Sequence, residues 1–460
     1  MTVEVPGPWK VLSDVKEGLG ESLATSARAL GADELPNFRL EPPPQSDWGD
    51  LGTSLPLFLA RSLRKAPKAI ASEMAANLRF PPGLVERIEV AGPGYVNVHL
   101  HSSVWRGLLA RVLKDGPSYG SKNRPDSQKP RLDWNIEFVS ANPTGPLNVV
   151  NGRAGAVGDL IANLLLWRGR SVQREYYFND SGRQASLFGQ SVVAAARRLK
   201  GEDAPAPEGG YGAPYVEDLA AELKVGPGDD PSKAGTQAMK RVKEWQEASL
   251  RRYGVAFDAW TSEQSIHDRG KVTQVLDRLV KTGKTFTQGG ALHLRTTEFG
   301  DQRDRVIRRS DMAGTVTYLV PDLAYQMEKL ERAQHTITML GPDHQGQIPS
   351  LKAGLSILVP NWATDFRAFF LVIQQVNLVK DGQAVKMGKR KGMFVTLDEL
   401  LDEVGVDAAR WFFSARAMET PLDFNLDLAR LKTDENPVYY VQYGHARLCG
   451  ILREAEKRIG

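Results

Sequence analysis

Two stretches carry residue types suited to work on a phosphate. SANPTGPLNVVNGRAGAVGD, residues 140–159, places Pro143, Thr144, Gly145 and Pro146 in a tight turn ahead of a helical pattern. Pro and Gly fix such a backbone path, and the following helix aims its N-terminal amides at whatever sits above the turn. That geometry suits a triphosphate; taken alone, it is also ordinary loop chemistry. The second stretch is VKMGKRKGMF, residues 385–394, where Lys386, Lys389, Arg390 and Lys391 surround Gly388 and Gly392. Lysines on a glycine-containing loop can clamp the charge of a departing pyrophosphate. A solvated basic loop has the same composition.

Composition narrows the chemistry. None of the 7 histidines lies between positions 102 and 266, so histidine-based nucleophilic or metal chemistry is not expected at the turn. The single cysteine, Cys449, excludes an internal disulfide and a multi-cysteine zinc site, and no protein-bound metal is expected. Apolar runs such as LVIQQV and LIANLLLW are too short to span a membrane. The start, MTVEVPGPWK, lacks the basic-then-apolar profile of a secretory signal, so a cytoplasmic protein without a membrane partner is expected. A net charge of +4 is compatible with nucleic acid without arguing for it.

The elements that must hold these stretches follow from periodicity. At 460 residues, two or three domains are expected. Residues 1–118 read as a small α+β unit. Within it, 54–78 has helical apolar spacing with a basic shoulder of Arg61, Arg64, Lys65 and Lys68. RIEVAGPGYVNVHL, 87–100, alternates like two strands around a Gly-Pro-Gly turn, and 118–131 reads as a linker. The spacing then predicts a strand over 132–140, a helix over about 148–168 and a strand over 171–180. That is a βαβ unit, so the fold class is α/β with a parallel sheet and ligands at the strands' carboxyl ends. A Pro-, Gly- and acid-rich segment at 202–234 suits a surface insertion, and the last forty residues or so are helical in pattern.

With these motifs in order, the chain resembles the arginyl-tRNA synthetases, class I aminoacyl-tRNA synthetases, over nearly its whole length. IEFVSANPTGPL is similar to the strand and turn that lead into the family's HIGH motif, and KMGKRKG stands at its KMSK loop. YYFNDSGRQ, ALHLRTTEFGD, GPDHQGQIPSLKAGL, FVTLDELLDEVGVDAARWFF and DENPVYYVQYGHARL resemble the family too. The resemblance implies an N-terminal tRNA-contacting α+β domain (1–118) and a Rossmann-type catalytic domain (119–420) with an insertion around 185–260. It further implies the opening of a helical anticodon-binding domain (421–460), of which only a short piece is present.

The resemblance also implies roles. Glu137 and Asn142 stand where such enzymes hold the amino acid's cationic and α-amino ends, and Tyr318 with Asp322 matches a pair that reads the guanidinium. Asp343, His344 and Gln345 are expected to line the same pocket. ATP falls to Pro143, Thr144, Gly145, Asn148, Val150 and Asn151 with Lys386 and Lys389; of these, Asn148, Asn151 and the two lysines carry catalysis. Arg61, Arg64, Lys65 and Lys68 are the expected RNA contacts. Arginine, ATP carrying Mg2+, and tRNA(Arg) are the implied partners of a monomer.

Four positions depart from that pattern. The family's His-Val-Gly-His is here Asn148-Val149-Val150-Asn151, which replaces two phosphate donors and fills the room left by a glycine for adenine. Gly388 stands where the lysine loop usually has serine. Two readings therefore stay open: an arginine–tRNA ligase with weakened adenylation, or a catalytically impaired paralogue that binds arginine or RNA.

Overall fold

The computed structural model describes residues 12–121, 132–312, 314–365, 367–385 and 395–459. The chain divides into two compact units, Met1–Lys122 and Asn123–Gly460. In the first, helices α1 (Leu12–Ala29), α2 (Leu55–Leu63), α3 (Pro67–Asn77) and α4 (Ser102–Asp115) accompany β1 (Leu51–Thr53), β2 (Val85–Ala91) and β3 (Tyr95–Leu100). The strands form an antiparallel sheet in the order β1-β3-β2. Residues 54–78, expected as one helix, are two. Arg64 caps α2 in the left-handed region (φ 52°), and Ala66 is extended (φ −61°, ψ 134°) ahead of Pro67. Proline disfavours the helical region for the residue before it and has no N–H to continue a ladder. Leu55, Leu59, Ile70 and Met74 still share one core, so the apolar period survives the break.

The second unit is built on β4 (Leu132–Glu137), β5 (Val172–Phe178), β6 (Ala259–Ser262), β10 (Ala333–Leu340) and β11 (Ala368–Val372). They pair in parallel in the order β11-β10-β4-β5-β6. Helix α5 (Val149–Trp167) makes the crossover from β4 to β5. Its Gly158 lies on Phe138 so closely that a Cβ would sit 2.3 Å from the ring, which only glycine avoids. β5 and β6 lie on one side of β4, and β10 and β11 on the other. Chain order reverses between β4 and β10, and in such sheets ligands bind outside the strand ends at that reversal.

The remaining elements dress this sheet. Helices α6 (Gly182–Leu199), α7 (Tyr215–Glu222) and α8 (Pro231–Arg252) share a core of Phe188, Val192, Leu219 and Val242. Next come α9 (Glu263–Asp268), α10 (Lys271–Lys281), the antiparallel strands β7 (Thr285–Gln288), β8 (Ala291–Leu294) and β9 (Arg305–Arg308), α11 (Leu319–Arg332) and α12 (Ile348–Leu358). β12 (Val376–Lys380) pairs with β13 (Gln383–Ala384) and β14 (Leu422–Asn425), beside α13 (Leu397–Val404), α14 (Val406–Ser414) and α15 (Leu426–Arg430). α16 (Pro437–Ile459) closes the chain with most of its surface exposed. Among the described residues no helix is long and apolar enough to cross a membrane.

Candidate functional site

β4 was expected to run to residue 140 but ends at Glu137, because Val139 and Ser140 take left-handed backbone (φ 68° and 42°). Such strain costs roughly 1–3 kcal/mol per residue and persists only where neighbours over-determine it. Here Ser140 supplies that: its Oγ donates to Glu137 Oε1 (3.1 Å) and accepts from Tyr177 N (3.2 Å). The reversal swings the following turn over the carboxyl end of the sheet, where a cavity of about 890 Å³ opens. Glu137, Asn142, Asn148, Val150, Asn151, Tyr318, Asp322, Asp343 and His344 all line it.

Gln345 does not. Pro342–Gln347 is a 3-10 turn, in which residues three apart eclipse, so Gln347 joins His344 at the wall while Gln345 turns out to solvent. The proposed phosphate contacts are divided as well. Thr144, Gly145 and Pro146 face a second hollow of about 350 Å³ that shares Ala141, Asn142, Asn148 and Asn151 with the first. Pro143 is buried and lines neither. Lys386 and Lys389, with Gly388, Arg390 and Lys391, lie outside the described residues.

The turn is held from the α8 side. Gln246 is 1% exposed and donates to Asn142 O (3.0 Å) and Gly145 O (2.9 Å); Tyr215 donates to Thr144 O (2.6 Å). The buried Tyr176 hydroxyl accepts Ala141 N–H at 3.1 Å. From below, fully buried Arg153 donates to the carbonyls of Gln374, Thr420 and Ala417, tying α5 to the stem of β12.

At the head of α5 the two asparagines answer each other. Asn148 Oδ1 accepts from Val150 N (2.9 Å) and Asn151 N (3.0 Å), and Asn151 Oδ1 accepts from Asn148 N (3.0 Å). This reciprocal cap satisfies the amides that were expected to point at a ligand. Val150 is half-buried against the sheet core while it lines the cavity.

The acidic end of the cavity holds three carboxylates and one ammonium. Lys329, fully buried on α11, donates from Nζ to Glu137 Oε2 (2.6 Å) and Thr338 Oγ1 (2.6 Å). Glu137 is therefore already paired. Asp322 sits in the first turn of α11, one helical turn after the exposed Tyr318. Burial, then the charges of Glu263 and Glu137, push its carboxyl up to about 7, against the pull of Lys329. Burial, then Glu263 and Asp322, raise the Tyr177 phenol, so it stays protonated and donates a hydrogen bond to Glu263 Oε2 at 2.7 Å. Tyr325 stacks on Tyr177 (4.4 Å, 22°), and its buried hydroxyl has no hydrogen-bond partner among the described residues.

Sequence reasoning missed Glu263, Lys329, Tyr177, Tyr325 and Gln246. Glu263 follows the capping Ser262, so it reads as a first-turn acid placed for the helix dipole. Lys329 reads as an ordinary last-turn cation. Its burial makes a clear prediction: Lys329→Met strands Glu137 in a dry site and costs about 3–5 kcal/mol of stability. Urea unfolding measures that cost, and an unchanged midpoint would mean water reaches the pair.

Comparison with known proteins gives a consistent set of likenesses. Residues 14–100 match the family model described as the arginyl tRNA synthetase N terminal domain. The chain is 42% identical over 434 residues to the arginine–tRNA ligase of Shouchella clausii, covering 92% of this chain and 76% of that protein. To the arginine–tRNA ligase of Syntrophotalea carbinolica it is 40% identical over 454 residues, covering 96% and 80%. Among solved structures, Thermus thermophilus arginyl-tRNA synthetase superposes with a TM-score of 0.72 at 23% identity, covering 96% of this chain and 82% of that one. At that identity the superposition speaks for the fold.

Proposed function

Since the chain belongs to the arginine–tRNA ligase family, we propose that its cavity binds arginine and MgATP side by side for adenylation. The arginine carboxylate attacks the α-phosphate, pyrophosphate leaves, and the arginyl-adenylate then passes its acyl group to the 3′-terminal ribose of tRNA(Arg). The observation that carries this reading is the placement of Asp322, Glu137 and Asn142 with the 140–151 turn around one cavity at the sheet's reversal point. Asp322 takes the guanidinium, since a carboxylate is its natural bidentate partner. Asn142 presents its Oδ1 to Asn179 N (3.2 Å) and its Nδ2 to Gln184 (2.6 Å), which fixes it at the cavity wall beside the amino-acid end. Arginine-dependent ATP–pyrophosphate exchange, run with and without tRNA, tests the assignment.

One observation favours the second reading, an arginine- or RNA-binding relative with weak adenylation. The Asn148–Asn151 cap spends both side-chain oxygens and the first helix amides on each other, leaving neutral amide groups where two imidazole donors would serve the phosphates. No exchange with tRNA present, combined with intact arginine binding, selects it.

We further propose a cytoplasmic monomer whose N-terminal unit contacts tRNA. Arg61, Arg64, Lys65 and Lys68 are all exposed, spread over α2, α3 and the connector between them. Lys65 is engaged by Glu73 at 2.7 Å, so Arg61, Arg64 and Lys68 are the stronger phosphate candidates. Reversing those three charges should weaken tRNA binding and lower the slope of log affinity against log salt by about one per lost contact. A filter-binding salt titration reads both; an unaltered slope assigns the contact elsewhere.

A further inference from the structure

Three carbonyls of the 142–145 turn accept hydrogen bonds from side chains that do not line the large cavity. Gln246 Nε2 donates to Asn142 O (3.0 Å) and Gly145 O (2.9 Å), and the Tyr215 hydroxyl donates to Thr144 O (2.6 Å). Tyr215 opens α7 and Gln246 sits on α8, so both donors come from the helices between β5 and β6. Gln246 Oε1 accepts from the Tyr176 hydroxyl (3.0 Å), which leaves both amide hydrogens for the turn. Burial raises the Tyr215 phenol, so it stays protonated and donates. A Cβ at Gly145 would lie 3.0 Å from its oxygen, so phenol and turn are in direct contact.

The same helix reaches the far end of the turn. Ser249 and Arg252, further along α8, bond Asp398 in the first turn of α13, and Arg252 also bonds Asp402. The start of α13 is in turn tied to residues 147 and 148. Leu397 N donates to Leu147 O (2.8 Å), and Asn148 pairs with Thr396 in a β-bridge. α8 therefore fixes 142–145 directly and 147–148 through α13, on the approach to the head of α5. The Asn142 side chain is anchored separately, by Asn179 and Gln184.

We propose that Gln246 and Tyr215 are positioning residues for adenylation, setting the 142–148 backbone, and with it Asn148 and Asn151, against the nucleotide's phosphates. This rests on the adenylation reading above and extends it to residues outside the cavity. A misplacement of about 1 Å, even by a change remote from the chemistry, costs roughly 100-fold in rate.

The test uses the full chain in arginine-dependent ATP–pyrophosphate exchange with tRNA present, and calorimetry with arginine. Gln246→Met keeps the length of the side chain and removes both donors. Its kcat should fall about 10- to 100-fold. Arginine affinity should stay within about threefold, because the anchors of Asn142 remain. Tyr215→Phe removes one hydroxyl and leaves the ring in place. Its kcat should fall about three- to tenfold, as for loss of one neutral hydrogen bond. A purely structural role would lower the urea midpoint and leave kcat per folded molecule unchanged. That result in Gln246→Met overturns the proposal, and if this variant does not fold, an unchanged kcat in Tyr215→Phe overturns it alone. So does an arginine affinity that falls as far as kcat, which would mark the two residues as supports of the whole cavity. If the parent shows no exchange, the adenylation reading fails and this one with it, and the parent measurement separates that outcome from the others.

Discussion

Changing Asn148 to His, Val150 to Gly and Asn151 to His is expected to raise arginine-dependent ATP–pyrophosphate exchange well above the parent rate. Each phosphate donor in comparable sites is worth about 3–4 kcal/mol of transition-state stabilisation, so two could supply roughly 5–8 kcal/mol. The gain falls short of that sum to the extent that the asparagine amides already donate, and because adjacent groups do not act independently. The structure adds a cost. Asn148 now caps α5 through two backbone bonds and Asn151 returns one. Losing such a cap destabilises by about 1 kcal/mol, so the faster variant should unfold at lower urea than its parent. Restoring only the histidines should help less, since the Val150 side chain would still fill part of the cavity beside them. A parent that already turns over at roughly 1–100 per second would show that the asparagines suffice. An inert triple variant that binds arginine would move the deficit to residues 386–394.

Asp322→Ala should cost about 3–5 kcal/mol of arginine affinity, because it leaves a buried guanidinium without its carboxylate. Isothermal calorimetry with arginine measures this; unaltered affinity would remove Asp322 from the site. Lysine should bind the parent far more weakly than arginine, a point charge being unable to use the bidentate geometry. The same carboxyl sets a pH dependence. Asp322 faces Glu263, Glu137, Tyr177 and Lys329, and burial with the two acids holds it protonated up to about pH 7. Guanidinium binding needs the ionised form, so binding releases a proton. Arginine affinity should therefore be highest above pH 7 and fall roughly tenfold per unit as pH drops below it, toward the ordinary carboxylate range. Asp322→Asn should flatten that profile while lowering affinity throughout.

The βαβ unit was legible in the sequence because its signals are local. Alternation over 132–137, the 149–167 apolar pattern and the turn residues between them each specify backbone within a few positions. Glycine at 158 could be read as a weak point in a helix, yet only the approach of Phe138 explains it. The single-helix reading of 54–78 failed at Pro67, where a local rule was present but outweighed by apolar spacing that continues across the break. The early end of β4 had no such cue, since the left-handed Ser140 that ends it is held by Glu137 and Tyr177.

The sequence by itself determined the residue types at the cavity: a Pro/Gly turn before a helix, asparagines at 148 and 151, and an acid one helical turn after Tyr318. It also determined the family, through many ordered motifs. Which charges face one another was decided only by tertiary structure. Lys329 lies 192 positions from Glu137 and Glu263 lies 86 from Tyr177, so neither pairing has a periodic trace. The same holds for Gln246 reaching back 104 positions to Asn142. Local pattern governs backbone conformation, because it depends on neighbours a few bonds away. Desolvation and charge pairing depend on what the fold brings within about 4 Å, and that determines whether an acid is a solvated helix cap or a buried ligand.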